Sequence, residues 1–395
     1  MKFPKVFLRS KKAGAAIGRH PWVFAGLIGK MEGSPADGDQ VAVCNGDTDE
    51  FIAYGLFNSK SEIRIRLYSW NRDEPINDAF FRKKIELAVR LRREALYLSD
   101  SESARRLVFS ESDALSGLTV DQYGSYLVVQ VTSLALAGRL SLFTQILKDV
   151  CSPKGIWLRC APDVSQKEGI QLEDQLLYGE IPEGPIILSE NGLKIGVHLR
   201  SGQKTGYFLD QHENRSAVAR LAKGRRVLDL YCYTGGFSLQ CARADAAEVI
   251  GIDSSTAAIE QARVHAERNE LSNVTFVQSD VFEYLSNHST EKFSLVIIDP
   301  PRLSSSREFK PNALRMYFRL NTEAIKLLIP EGILVSCSCS GRVSLSEWLS
   351  LLQSVARRSK RDLQILEVRG ASRDHPVLSS CPESSYLKCV IARVI

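Results

Sequence analysis

The run Val335-Ser-Cys337-Ser-Cys339-Ser-Gly341 places two thiols two residues apart, just ahead of a glycine. Carbon 5 of a cytosine is a poor nucleophile. A thiolate that adds to carbon 6 turns the ring into an enamine-like species, whose carbon 5 then takes a methyl group from a sulfonium. A cysteine at the mouth of a methyl-donor site is what this route requires. Cys337 and Cys339 fall on one face of an extended strand, so period-2 alternation does not choose between them. Cys339 stands nearer the strand end and Gly341, hence nearer a ligand edge. The bland alternative is that both thiols are small buried hydrophobes.

A methyl-donor site has its own signature further upstream. Asp229-Leu-Tyr-Cys-Tyr-Thr-Gly-Gly-Phe-Ser follows a β-like run, and Thr234, Gly235 and Gly236 make a tight turn ahead of a helix. Glycine lets backbone approach a ligand, and the helix start offers free N–H groups. This is not the G-x-G-x-x-G of a dinucleotide site. Instead Asp229 precedes the glycines, where an acid pairs with an ammonium group and repels a pyrophosphate. Asp253 ends the next strand-like run, a place that suits the two hydroxyls of a ribose. Asp280 follows the third, where an adenine amino group can donate. Each acid alone reads as a cap or turn residue. Together, at successive strand ends, they describe a site for S-adenosylmethionine. The fourth run ends in Asp299-Pro300-Pro301-Arg302, where the prolines fix the exit of the chain from the sheet. Amino-nitrogen methylases place an aromatic after such prolines to stack the base. Arg302 stands there instead, which counts against exocyclic-nitrogen chemistry.

The elements that must carry these residues change texture along the chain. Up to about residue 72, short runs such as Lys5–Arg9, Gln40–Cys44, Phe51–Phe57 and Glu62–Tyr68 are separated by Gly and Asp turns, which predicts a small barrel. The apolar stripe of Phe80, Phe81, Ile85, Ala88, Leu91 and Leu96 predicts one helix over about 78–98. Strands over Leu118–Asp121 and Tyr126–Val131, a helix over Leu134–Asp149 and a strand at Ile156–Arg159 make a middle α+β region. From about 196 strands and helices alternate, starting with Arg226–Leu230 and ending in a strand over Tyr386–Ile395. That alternation argues for a doubly wound, mostly parallel sheet, with ligands at the carboxyl ends of its strands.

Composition bounds the rest. The chain has 395 residues, 44% hydrophobic and 25% charged, with a formal net charge of +5. A largely disordered chain is excluded, and more than one domain fits the length. The nine cysteines are scattered, with no C-x-x-C pair, so neither a disulfide framework nor a zinc site is supported. No apolar run approaches a membrane span or a signal peptide, and a reduced, cytoplasmic protein is expected. Most of the positive excess lies early. Through Arg72, eleven Lys and Arg face seven Asp and Glu, a net of +4. Lys5, Arg9, Lys11 and Arg19 beside His20 and Trp22 suit RNA backbone contact with stacking.

These residues, with Gly18-Arg-His-Pro-Trp-Val-Phe, Glu111-Ser-Asp-Ala-Leu-Ser-Gly-Leu, Gly206-Tyr-Phe-Leu-Asp-Gln, Tyr233-Thr-Gly-Gly-Phe and Asp374-His-Pro-Val, carry a resemblance. Nearly end to end, the chain resembles the 23S ribosomal RNA 5-methylcytosine methyltransferases that carry a PUA domain. The resemblance implies an α/β fold: a Rossmann-like class I methyltransferase domain over 196–395, a PUA-like RNA-binding domain over 1–72 and a middle α+β domain over 73–195. It implies Cys339 as nucleophile; which group takes the carbon 5 proton it leaves open, with Asp299 and a water as the candidates. The cofactor set it implies is Gln211 at the methionine end, with Asp229, Tyr231, Thr234, Gly235, Gly236, Asp253, Asp280, Asp299 and Pro300. The implied partner is large-subunit ribosomal RNA; no membrane and no metal are expected, and the assembly is left open, a homodimer among the options. Two other readings remain open here: a non-catalytic RNA-binding or ribosome-assembly factor on the same fold, and an enzyme that methylates a base nitrogen.

Overall fold

The computed structural model describes residues 3–98, 103–200, 206–303 and 310–395. The chain forms two compact units. One comprises Met1–Leu188, Val197–Leu209 and Arg373–Ser384; the other comprises Ser189–Gly196, Asp210–Ser372 and Ser385–Ile395.

In the first unit, alternating apolar residues build a six-stranded mixed sheet. Its order is Trp22–Phe24, Ile63–Ser69, Phe51–Phe57, Gln40–Asn45, Lys5–Leu8, Ile28–Glu32. Val6, Leu8, Val41, Val43, Ile65 and Leu67 lie on its buried side. No ladder joins the two end strands, so in place of the expected barrel the described residues form an open six-stranded sheet. The unit also holds a five-stranded sheet ordered Gln175–Gly179, Gly155–Leu158, Tyr126–Val131, Leu118–Tyr123, Ala104–Phe109. The helices Asp78–Arg90 and Leu140–Cys151 share one core with it through Phe80, Phe81, Ile85, Phe143 and Ile146. Tyr54, Leu56 and Tyr68 of the first sheet belong to that same core. The helix expected over 78–98 ends at Arg90 and continues as a wider π-helical turn over Leu91–Ala95.

The strand Ala104–Phe109 escaped the sequence pattern because Arg105 and Arg106 interrupt it. The structure gives each charge its own partners: Arg105 donates to the Leu98 carbonyl and to Ser103 Oγ. Arg106 reaches Asp121 through Nε at 2.7 Å and Nη2 at 2.9 Å, and Asp121 is wholly buried.

The second unit is the doubly wound sheet. Its strands are β1 (Arg226–Leu230), β2 (Glu248–Asp253), β3 (Val274–Gln278), β4 (Phe293–Ile298), β5 (Leu328–Ser338), β6 (Leu363–Arg369) and β7 (Lys388–Val394). Their order is β3-β2-β1-β4-β5-β7-β6, with β7 antiparallel to both neighbours and the other pairs parallel. Helices α1 (His212–Ala219), α2 (Gly236–Arg243), α3 (Thr256–Arg268), α4 (Val281–Asn287), α5 (Lys310–Lys326) and α6 (Leu345–Ser359) complete it. Alternation along the strands feeds two cores. Leu228, Leu230, Val296 and Ile298 pack with Tyr317 of α5 and Trp348 of α6. Val227, Leu295, Ile297 and Val335 pack with Phe237 and Cys241 of α2. Burial on both faces leaves the strand ends as the place for polar chemistry. The chain reverses between β1 and β4, so the switch point lies at Asp229 and Asp299.

Candidate active site

The loop after β1 is held by carboxylates. Asp229 is fully buried, and its Oδ2 accepts from the Ser238 N–H at 3.0 Å and from Ser238 Oγ at 2.6 Å. Ser238 lies in the first turn of α2, so Asp229 ties the strand end to the helix start, where the dipole favours negative charge. Its Oδ1 has no hydrogen-bond partner. Burial pushes the Asp229 carboxyl up to about 7; Asp299 and Asp253 add to this, while Ser238 opposes it.

Between these anchors the backbone turns left-handed three times, at Tyr231 (φ 64°), Tyr233 (φ 51°) and Gly235 (φ 85°). Gly235 also meets Phe276 of β3. A Cβ there would stand 2.8 Å from Phe276 Cζ, so only glycine lets the loop lie against that ring. Asp253 closes the loop from β2: its Oδ2 accepts from the Tyr233 N–H at 2.9 Å and its Oδ1 from the Ser255 N–H at 2.9 Å. Thr234 presents its carbonyl to His265 Nδ1 at 3.1 Å. Gly236 begins α2, and Tyr231 is half-buried, its phenol pushed up to about 12 by burial, with Asp280 and Asp253 adding to it.

Asp280 is the N-cap of α4. Its Oδ1 accepts from the N–H groups of Phe282 and Glu283 at 2.8 and 3.1 Å, and the residue is exposed. Gln211 precedes α1 and is buried. Its Oε1 accepts from Asn214 at 2.7 Å, while its Nε2 has no hydrogen-bond partner. Asp299 follows β4 and is half-buried, and Pro300 after it is buried.

The structure separates the two thiols that sequence alternation left equal. Cys337 pairs in register with Cys389 of β7 and is wholly buried in the core with Val335 and Ile391. Cys389, followed by burial, pushes its thiol well above the ordinary range. Cys339 lies one residue beyond the end of β5 and is partly exposed, with Sγ 3.9 Å from the Pro300 carbonyl. The Asp-Pro-Pro loop and Cys339 therefore stand side by side. All nine cysteines are free.

Sequence reasoning missed the frame around Cys339. Tyr317 Oη and Ser340 Oγ share a hydrogen bond at 2.8 Å, and Lys388 donates to the Ser340 carbonyl at 2.7 Å. Lys388 was visible as a cation at the head of an apolar strand. Arg215 lies within α1. It is buried and gripped by both oxygens of Glu190, at 2.6 and 2.7 Å.

In the other unit, Arg9, Lys11 and Arg19 are exposed. Lys5 pairs with Asp49 at 3.0 Å and lies over the Phe7 ring, as Lys30 does. His20 and Trp22 are engaged internally. His20 Nδ1 accepts from the Trp22 N–H at 3.2 Å, its Nε2 lies 3.2 Å from Glu383, and Trp22 Nε1 donates to Glu111 at 2.9 Å. Cys381 completes a group with His20 and Glu383 of the type that holds metals. The ring already uses Nδ1 as its acceptor, so the neutral tautomer carries its proton on Nε2 and leaves no lone pair for an ion. No helix among the described residues is long and apolar enough to cross a membrane.

Fold and site together define a methyltransferase joined to a PUA-like domain. Residues 221–376 match the methyltransferase domain family, and residues 6–70 match the PUA-like domain family. A solved structure of a methyltransferase candidate complexed with SAH superposes with a TM-score of 0.85 at 22% identity, covering 100% of both chains. Over 392 residues, 98% of each chain, the sequence is 35% identical to ribosomal RNA large subunit methyltransferase I of Aeromonas salmonicida. It is 36% identical over 393 residues to the protein of that name from Aeromonas hydrophila, again 98% of each chain. The chain belongs to the ribosomal RNA large subunit methyltransferase I family.

Proposed function

We propose that this protein methylates carbon 5 of a cytosine in large-subunit (23S) ribosomal RNA, with S-adenosylmethionine as cofactor and Cys339 as nucleophile. The observation that carries the reading is the contrast of thiols: Cys339 is partly exposed beside the Asp299-Pro300-Pro301 loop, whereas Cys337 is sealed in the core.

The residues present fit the cofactor. Asp229 Oδ1 and Gln211 Nε2 are buried polar atoms without partners, one an acceptor and one a donor. An amino-acid zwitterion satisfies both kinds. Asp229 and Gln211 would hold the methionine end. Tyr231, Thr234, Gly235 and Gly236 would bring backbone against the ligand, and Asp253 would take the ribose hydroxyls. Asp280 would face the base, and Pro300 would wall the site. When bound, S-adenosylmethionine supplies an electrophilic methyl group on a sulfonium.

In this chemistry Cys339 Sγ forms a bond to carbon 6, and the ring electron pair moves to carbon 5, which becomes the nucleophile. Once carbon 5 is methylated, loss of its proton to Asp299 or a water re-forms the ring double bond and expels Sγ as thiolate.

The chain is read as three domains: 1–72 PUA-like and RNA-binding, 73–195 middle, 196–395 catalytic. Exposed Arg9, Lys11 and Arg19, with Lys5 beside Phe7, serve phosphate contact, while His20 and Trp22 shape the loop that presents them. A cytoplasmic homodimer belongs to the same reading, and sedimentation at micromolar concentration checks its assembly. Cys339→Ala is expected to abolish 5-methylcytosine formation while SAH binding persists. RNA carrying 5-fluorocytosine, which has no carbon 5 proton to lose, should trap a covalent complex that this variant lacks. Methylation at the wild-type rate by Cys339→Ala would overturn the thiol mechanism and leave a base nitrogen as the target.

A further inference from the structure

Lys388 opens β7 and is only 4% exposed. Antiparallel pairing sets it opposite Ser338, one residue before Cys339. Its ammonium donates to the Ser340 carbonyl at 2.7 Å and to the Tyr386 carbonyl at 2.8 Å. Both acceptors are neutral, and among the described residues no carboxylate comes within ion-pair distance of it. A buried charge without a counter-charge is costly, and proteins keep such groups where chemistry needs them. Burial pushes the Lys388 ammonium down to about 8, while the two charges that pull it back are Cys339 first and Glu347 second. Glu347 has its own partner, since its Oε1 lies 2.6 Å from Lys310. The other group is the Cys339 thiol.

We propose that Lys388 is a positioning residue for the nucleophile. Its ammonium clamps the Ser340 carbonyl, so fixing the Ser338–Ser340 turn, and its charge stabilises the Cys339 thiolate. The inference rests on the assignment of Cys339 as nucleophile. The same turn is braced from α5 by Tyr317, whose phenol is raised by burial and further by Cys339. The groups that interact with Cys339 include Lys388 from β7 and Tyr317 from α5, and Glu347 of α6 with its partner Lys310 of α5 faces Lys388. Of these, Lys388 is the cation without a carboxylate partner.

The test is the rate at which iodoacetamide alkylates Cys339, read on its own peptide by mass spectrometry between pH 6 and pH 9. In the wild type, Cys339 is expected to titrate below the ~8.5 of a free thiol. Lys388→Met removes charge and donors, Lys388→Gln keeps a donor, and Lys388→Arg keeps both. Alkylation at pH 7 should fall about tenfold for each unit by which the thiol rises, in Lys388→Met and Lys388→Gln alike, and recover in Lys388→Arg. SAH binding, measured in parallel, reports folding and should not change. A wild-type Cys339 that titrates at or above the free-thiol value overturns the proposal even when a variant does not fold. Wild-type reactivity in Lys388→Gln also overturns it and leaves only the clamp. Alkylation reads the thiolate whether or not RNA is methylated, so active Cys339→Ala would defeat the mechanism without deciding the role of Lys388.

Discussion

In the proposed site, Asp229 is expected to couple cofactor binding to a proton, and its burial sets the size of the effect. Its carboxyl rises from 3.8 to about 7 in the folded protein, with burial as the largest cause. Three units correspond to about 4 kcal/mol at ~1.36 kcal/mol per unit, the cost of ionising the empty site. Between the two values the folded state holds a proton that the unfolded chain does not. The contribution of Asp229 to stability is therefore present below about 3.8 and lost as pH rises through about 7. Cofactor binding runs the other way. A ligand ammonium favours the carboxylate, so binding below pH 7 must expel the proton, and affinity should fall about tenfold per unit as pH drops. Calorimetry of SAH binding between pH 5.5 and pH 7.5, in buffers of different ionisation enthalpy, measures both slope and proton release. Asp229→Asn keeps an acceptor for Ser238 and should bind weakly with a flat profile. A wild-type affinity that does not vary with pH, or the same slope in Asp229→Asn, would refute the reasoning.

Gly235→Ala adds a Cβ 2.8 Å from Phe276 at a φ of +85°, and should cost about 2 kcal/mol or more in urea melts and weaken SAH binding. Unchanged binding and stability would mean that the loop does not depend on this contact. Cys337→Ser places a hydroxyl in an apolar core and should cost about 1–3 kcal/mol while leaving methylation intact. Cys339→Ser should do the reverse, keeping the melting temperature and losing turnover. Asp121→Asn leaves Arg106 partly buried without its carboxylate, and a loss of about 3–5 kcal/mol is expected in equilibrium unfolding.

The alternation of strands and helices after residue 196 was legible because both faces of a parallel sheet must be apolar, which writes the strands as short continuous runs. Strands that carry charge were hidden. Ala104–Phe109 has adjacent arginines, of which Arg106 pairs only once the fold delivers Asp121. Leu363–Arg369 has exposed Ile365, Leu366 and Val368 and lies at the sheet edge, where no second face enforces a pattern. Among the site residues, Asp229, Gly235 and Asp253 were legible because a strand end, a glycine and an acid at one spacing are local signals. Asp280 kept its place, but its carboxylate caps a helix. His20 and Trp22 looked like an RNA-facing pair, and their polar atoms bond within their own unit.

By itself the sequence determined the sheet, the strand-end acids, the glycine turn and the presence of a thiol at the fifth strand, since each follows from local periodicity or local backbone freedom. Which thiol is sealed and which is partly exposed was decided only in three dimensions. Cys337 and Cys339 share a face by alternation, but β5 ends at Ser338, so the chain leaves the sheet between them. The first thiol is sealed against Cys389 and the second is delivered beside Pro300. The same pairing of β5 with β7 sets the Lys388 ammonium beside it, from 49 residues further along the chain. No spacing rule joins residues that far apart; only the ladder of hydrogen bonds between two strands does.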